Sequence, residues 1–169
     1  MGIDADFGRA YCKSQFGAFQ TVPTGGTVFL SVKDADKTPL MASVARQLSV
    51  LGFSIVSTAG TAAFLRRYGI EAEEIRRVSE GDTSLVERIR GGRIQLIINT
   101  PSGKGPRQDE VSIRAIAIAS GVPVVTTIPG ADAYAHGISA LVHKDLDVKS
   151  LQEYHATSAP SRPHRGLGG

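Results

Sequence analysis

Residues Val50 to Thr61 read Val-Leu-Gly-Phe-Ser-Ile-Val-Ser-Thr-Ala-Gly-Thr, and the fold depends on how this stretch is divided. Phe53 to Val56 is a short apolar run, and the alanine-rich segment behind Thr61 has the composition of a helix start. Between them stands the hydroxyl-rich turn Ser57-Thr58-Ala59-Gly60-Thr61. Strand, turn and helix in that order create an anion site, because the first helical turn carries N–H groups without intrahelical partners and sits at the positive end of the helix dipole. The threonine hydroxyls can add to it. The structural alternative is that Thr61 caps the helix, since threonine at that position does so well. The stretch alone leaves both readings open.

Upstream, Val28, Phe29, Leu30 and Val32 form a nearly continuous apolar strand, the kind buried on both faces of a parallel sheet. Lys33 to Lys37 is a charged turn, and Thr38-Pro39 reads as an N-cap followed by proline at the first helical position. That helix is expected to run to Leu51 with Leu40, Val44, Leu48 and Leu51 on one face, ended by Gly52. Downstream, the pattern predicts a helix from Thr61 to Tyr68, a strand over Glu73 to Val78, and a helix over Thr83 to Arg90. A strand over Ile94 to Asn99, a helix from Asp109 to Ser120, a strand over Pro123 to Thr127 and a helix over Ala131 to Leu141 follow. A last short helix is expected over Asp147 to Ala156. Such alternation argues a Rossmann-like, three-layer α/β domain with a five-stranded parallel sheet.

The ends differ in character. Residues 1–20 read as a helix with Phe7, Ala10, Tyr11 and Ala18 on one side, and 21–26 as a linker containing Pro23 and Gly25-Gly26. The domain proper is placed at 27–156, and the proline- and glycine-rich stretch 157–169 is expected to be a disordered tail.

A chain of 169 residues with 41% hydrophobic and 21% charged residues suits one domain with a sizeable core. A single cysteine, Cys12, excludes an internal disulfide framework. The histidines stand at positions 136, 143, 155 and 164 with no zinc spacing, so no metal is expected. The net charge of +3 is spread along the chain and aromatics are only 6%, which suits small anions better than nucleic acid. No apolar run reaches the roughly 20 residues of a membrane span, and a cytoplasmic protein is expected.

In open parallel sheets the ligand lies beyond the carboxyl ends of the strands. The residues there are Lys33 to Lys37, Ser57 to Thr61, Arg77, Asn99 to Gly105, and Thr126 with Thr127. Cations, hydroxyls and an amide suit a phosphorylated, hydrogen-bonding small molecule. Each has a plainer reading: Lys37 as a solvated charge, Asn99 as a turn residue, Arg77 as surface beside Arg76. Gly103-Lys104-Gly105 lacks the spacing of a phosphate loop. Asp82 could serve as a general base, or cap the helix at Thr83.

Gly26-Thr27-Val28-Phe29-Leu30-Ser31-Val32-Lys33, Asp36-Lys37, Ser57-Thr58-Ala59-Gly60-Thr61 and Ile97-Ile98-Asn99-Thr100 resemble the C-terminal allosteric domain of carbamoyl-phosphate synthase large chains, which is methylglyoxal-synthase-like. The match covers about residues 26 to 155, and residues 1–20 look like the end of the synthetase unit that precedes the domain in that family. The resemblance implies a regulatory domain that catalyses nothing alone, with ATP and Mg used only by the intact ligase. It implies UMP or IMP as effector, and the remaining synthetase domains and a small glutaminase chain as partners. Lys37, Thr58, Thr61 and Asn99 match effector-binding positions, and Arg77 stands where a lysine is usual. Pro101 replaces a threonine that can contact the ligand. Thr126 matches the ornithine-side threonine, although Val124 replaces the aromatic residue two positions before it. The alternative is a methylglyoxal synthase acting on dihydroxyacetone phosphate, with Asp82 as base. Against it, the loop Thr100 to Gln108 has no histidine to act as the acid partner.

Overall fold

The computed structural model describes residues 2–18, 21–76, 83–101, 108–143, 150 and 152–153, with the side chains of 108 and 109 excepted. Its five strands are β1 (Gly26–Ser31), β2 (Phe53–Thr58), β3 (Glu73–Ile75), β4 (Leu96–Asn99) and β5 (Val124–Val125). The helices are α1 (Phe7–Gly17), α2 (Pro39–Val50), α3 (Ala59–Arg66), α4 (Ser84–Arg90), α5 (Gln108–Ala119) and α6 (Ile128–Val142), with a short 3-10 turn at Asp34–Asp36. All strand pairs are parallel, in the order β3-β2-β1-β4-β5. The chain winds outward from β1 to β3, then returns to the other side of β1 with β4. The crevice between β1 and β4 is therefore the topological switch point.

The apolar runs alternate in two directions. Val28 and Leu30 of β1, with Leu96 and Ile98 of β4, join residues of α2, α3 and α6 in one cluster. Phe29 and Ile97, between them in sequence, join Leu85 and Ile89 of α4 and Ile113 and Ala117 of α5 in the other. Both faces are covered, which is why these strands are apolar at consecutive positions. Helix boundaries follow ordinary chemistry. Thr38 caps α2 by accepting from the Met41 N–H, with Pro39 behind it, and Gly52 and Gly121 follow α2 and α5 at φ of +91° and +68°, a region that favours glycine.

The structure corrects two expected helix faces, those of α2 and α1. On α2, Leu40 is exposed, and the buried residues are Met41, Ala42, Val44, Ala45 and Leu48. On α5, Val111 is exposed while Ile113 and Ala117 are buried. On α1, Phe7 is 73% exposed, and the residues that bury are Gly8 and Cys12, with Tyr11 partly packed. The reason lies in α6. A Cβ on Gly8 would stand 2.5 Å from the Cβ of His136, and one on Gly137 would stand 2.9 Å from the Cβ of Cys12. The two helices cross with their backbones nearly touching, so small residues face inward and the large ring of Phe7 faces out. Tyr11 closes the contact edge-on against Tyr134, ring centres 5.9 Å apart.

Boundaries also shift. Thr58 belongs to β2, so α3 starts at Ala59; α6 starts at Ile128; and β5 is two residues long. The last expected helix falls largely outside the described residues. No helix among the described residues is long and apolar enough to cross a membrane.

Candidate functional site

Every buried polar side chain among the described residues stands at one end of the sheet: Ser57, Thr58, Thr61, Asn99 and Thr100. Buried polar groups are costly unless bonded, so a cluster of them at the carboxyl ends of β2 and β4, beside the end of β1, marks the place where the core gives way to chemistry.

The α3 side of this cluster is built on Thr58. It occupies the N-cap position in extended conformation, at φ −71° and ψ 153°, yet gives no side-chain capping bond. The first-turn N–H groups of α3 are thus left without a side-chain acceptor at the cap. Thr61 is not the cap. It sits one turn inside, 1% exposed, where its Oγ1 accepts from the Val32 N–H at 3.2 Å and from the Thr58 hydroxyl at 3.3 Å. A hydroxyl has two lone pairs and one proton; with both lone pairs used, the Thr61 proton is what it has left to donate.

On the β1 side, the Lys33 N–H donates to the Thr100 hydroxyl at 3.0 Å, and the Thr100 N–H donates to the Ser31 carbonyl at 3.1 Å. Successive N–H groups at the end of β1 are therefore held by hydroxyls from α3 and from the end of β4. This double tie fixes the start of the turn that carries Lys37. The Lys37 ammonium bonds Asp34 Oδ1 at 2.6 Å and lies 3.0 Å from where a Cβ on Gly60 would stand. One positive charge is thereby set over the first turn of α3. Asn99, 4% exposed, pairs with Ser31 across the switch point.

Of the residues singled out from sequence, Lys37, Thr58, Thr61 and Asn99 come together here. Arg77 and Asp82, with the segment 102–107, lie outside the described residues. Thr126 lies elsewhere. It lines a cavity of about 350 Å³ with Thr21, Arg114 and Val124 at the β5 edge of the sheet. A larger cavity of about 700 Å³, lined by Ser54, Arg66, Glu71 and Glu73, opens at the start of β2 and β3, the wrong end of the sheet. No cluster of three or more His, Cys, Asp or Glu side chains able to hold a metal occurs among the described residues.

Sequence reading missed the parts played by Thr100 and Gly60. The signal for Thr100 was its place one residue past the apolar run of β4; that it faces the end of β1 follows from the strand order. Gly60 gave no such signal, because the sequence reading places it in the turn before the helix, whereas it lies inside α3.

The profile of the MGS-like domain family matches residues 40–126. The chain is 44% identical over 155 residues to a carbamoyl phosphate synthase large chain of Methanoculleus marisnigri, covering 92% of this chain and 15% of that one. It is 45% identical over 166 residues to the large chain of Streptomyces avermitilis, covering 94% and 15%, and 44% identical to that of Archaeoglobus fulgidus, covering 94% and 15%. The chain thus spans about 15% of the length of these curated relatives. In architecture it is similar to a methylglyoxal synthase from Elizabethkingia anophelis, with a TM-score of 0.58 at 15% identity, covering 83% of this chain and 97% of that one. At that identity the likeness is one of fold.

Proposed function

Because the chain belongs to the MGS-like domain family, and its curated relatives are carbamoyl phosphate synthase large chains, we propose that it is the regulatory domain of such a large chain, binding UMP or a related nucleoside monophosphate. The observation that carries this reading is the Lys37 ammonium lying over the first turn of α3, which has no side-chain acceptor at its cap. Ammonium, helix N-terminus and the Thr61 proton together suit a phosphate dianion. Asn99, buried at the switch point, is the group suited to reading the ribose or base. Arg77 is proposed to add a second cation to the same phosphate, and Thr126 to belong to a distinct, ornithine-side contact.

Binding alone does not regulate. UMP would act by having different affinities for two arrangements of this domain against the synthetase core, and the core would respond by that difference. The ATP and Mg chemistry, and the glutaminase partner, belong on this reading to the intact enzyme. The domain itself is proposed to catalyse nothing.

Thermal unfolding with UMP, uridine, IMP and dihydroxyacetone phosphate tests this. A ligand at about 100 times its Kd adds about 2.7 kcal/mol, and a domain of this size gains roughly 2–4 °C per kcal/mol. UMP should therefore raise Tm by about 5–10 °C, with uridine far behind. If uridine matches UMP, the phosphate site is misplaced. Methylglyoxal formed from dihydroxyacetone phosphate, and abolished by Asp82→Asn, would replace the regulatory reading with a lyase.

A further inference from the structure

Gly60 occupies the second position of α3 and is exposed. Its φ lies outside the left-handed region, so the backbone does not require glycine there. A glycine inside a helix costs stability relative to alanine, and no core neighbour crowds this one. Among the described residues, and leaving aside its chain neighbours and the backbone of its own helix, the one heavy atom within 4 Å of a Cβ built on Gly60 is the Lys37 Nζ, at 3.0 Å. A Cβ there would stand a few tenths of an ångström inside ordinary contact with the ammonium.

We propose that Gly60 is a positioning residue, whose missing Cβ keeps a seat in which the Lys37 ammonium lies close enough to the first turn of α3 for both to hold one phosphate. The proposal rests on the phosphate reading given above. A carbon 3.0 Å from the ammonium is tighter than ordinary contact, and Lys37 is the flexible partner, so the ammonium would yield and the helix would not. Its way out is toward Asp34, which already bonds it at 2.6 Å and whose side chain is 96% exposed. An ammonium drawn toward a carboxylate is drawn away from the anion. The fold, meanwhile, gains an alanine in place of a helical glycine. Affinity and stability are therefore expected to move in opposite directions, which a merely structural glycine would not produce.

The test is a double-mutant cycle read by calorimetry with UMP and with uridine. Gly60→Ala should weaken UMP binding about tenfold to a hundredfold, the range of one charge-assisted hydrogen bond, while uridine binding and the Tm of the free protein hold or rise. The salt dependence of UMP affinity should weaken along with it. In a Lys37→Ala background the same glycine substitution should change UMP affinity by less than about twofold, because the group it displaces is gone. Wild-type affinity in Gly60→Ala overturns the proposal, and so does a penalty that persists undiminished in the Lys37→Ala background. A wild-type chain that binds uridine as tightly as UMP sinks the phosphate reading itself, and this role of Gly60 with it.

Discussion

At the scale of single residues, Thr61 and Lys37 separate two kinds of contribution. Thr61 accepts the N–H of Val32, so Thr61→Val leaves a buried donor unpaired. That should cost about 1–3 kcal/mol of stability, measured by urea unfolding, in addition to weakening UMP by roughly ten- to hundredfold. Lys37→Ala removes an exposed ion pair, whose worth is about 0–1 kcal/mol. It should weaken UMP strongly and leave the unfolding midpoint nearly unchanged. Equal stability losses in the two variants would mean that Thr61 is not tied to the end of β1. Thr100→Val should resemble Thr61→Val, since its hydroxyl holds the neighbouring N–H of Lys33. The candidate threonines and Lys37 were legible as chemistry at a strand end. Their division of labour was not, because whether a hydroxyl faces a ligand or an N–H of another strand depends on which strands become neighbours, and spacing along one segment carries no record of that.

At the scale of elements, α1 and α6 show where periodicity misleads. The stripe of Phe7, Ala10, Tyr11 and Ala18 is the side that spacing marks for packing, yet Phe7 is exposed, and the residues that bury are Gly8 and Cys12, with Tyr11 partly packed. Hydrophobic weight predicts a buried face when side chains fill the gap, and fails where close backbone approach is the stabilising feature. Gly137→Ala would put a carbon 3.0 Å from the Gly8 carbonyl oxygen and 2.9 Å from the Cys12 Cβ. It should destabilise by about 1–3 kcal/mol and raise hydrogen exchange along α1 first. Burial in this contact pushes the Cys12 thiol up to about 11 from an ordinary 9.0. It raises the Tyr134 hydroxyl as well, with help from Tyr11 and Cys12. The unfolded chain gives up these protons first as pH rises, so the folded state binds more of them above about pH 9 and stability falls with pH there. The stabilisation from Cys12 should be complete below about 9.0 and lost as pH passes about 11. Melting curves across that window should show the decline, and Cys12→Ala should flatten it. An unchanged slope would mean the thiol titrates alike in both states.

At the scale of the whole molecule, the apolar runs at Val28 to Leu30 and Leu96 to Ile98 announced a sheet covered on both faces, and the glycines closing the helices announced where each layer turns. The strand order was silent, since a strand's composition says that it is central without saying beside which other. That order, β3-β2-β1-β4-β5, also has a consequence in time. Phe29 of β1 pairs with Val56 on one side and with Ile97, 68 residues further on, at the other. During synthesis at roughly 5–20 residues per second, β1 would wait about 3–14 s with at least one open edge before its second neighbour leaves the ribosome. Throughout that interval it is a sticky intermediate, and the nascent chain depends on whatever shields that edge.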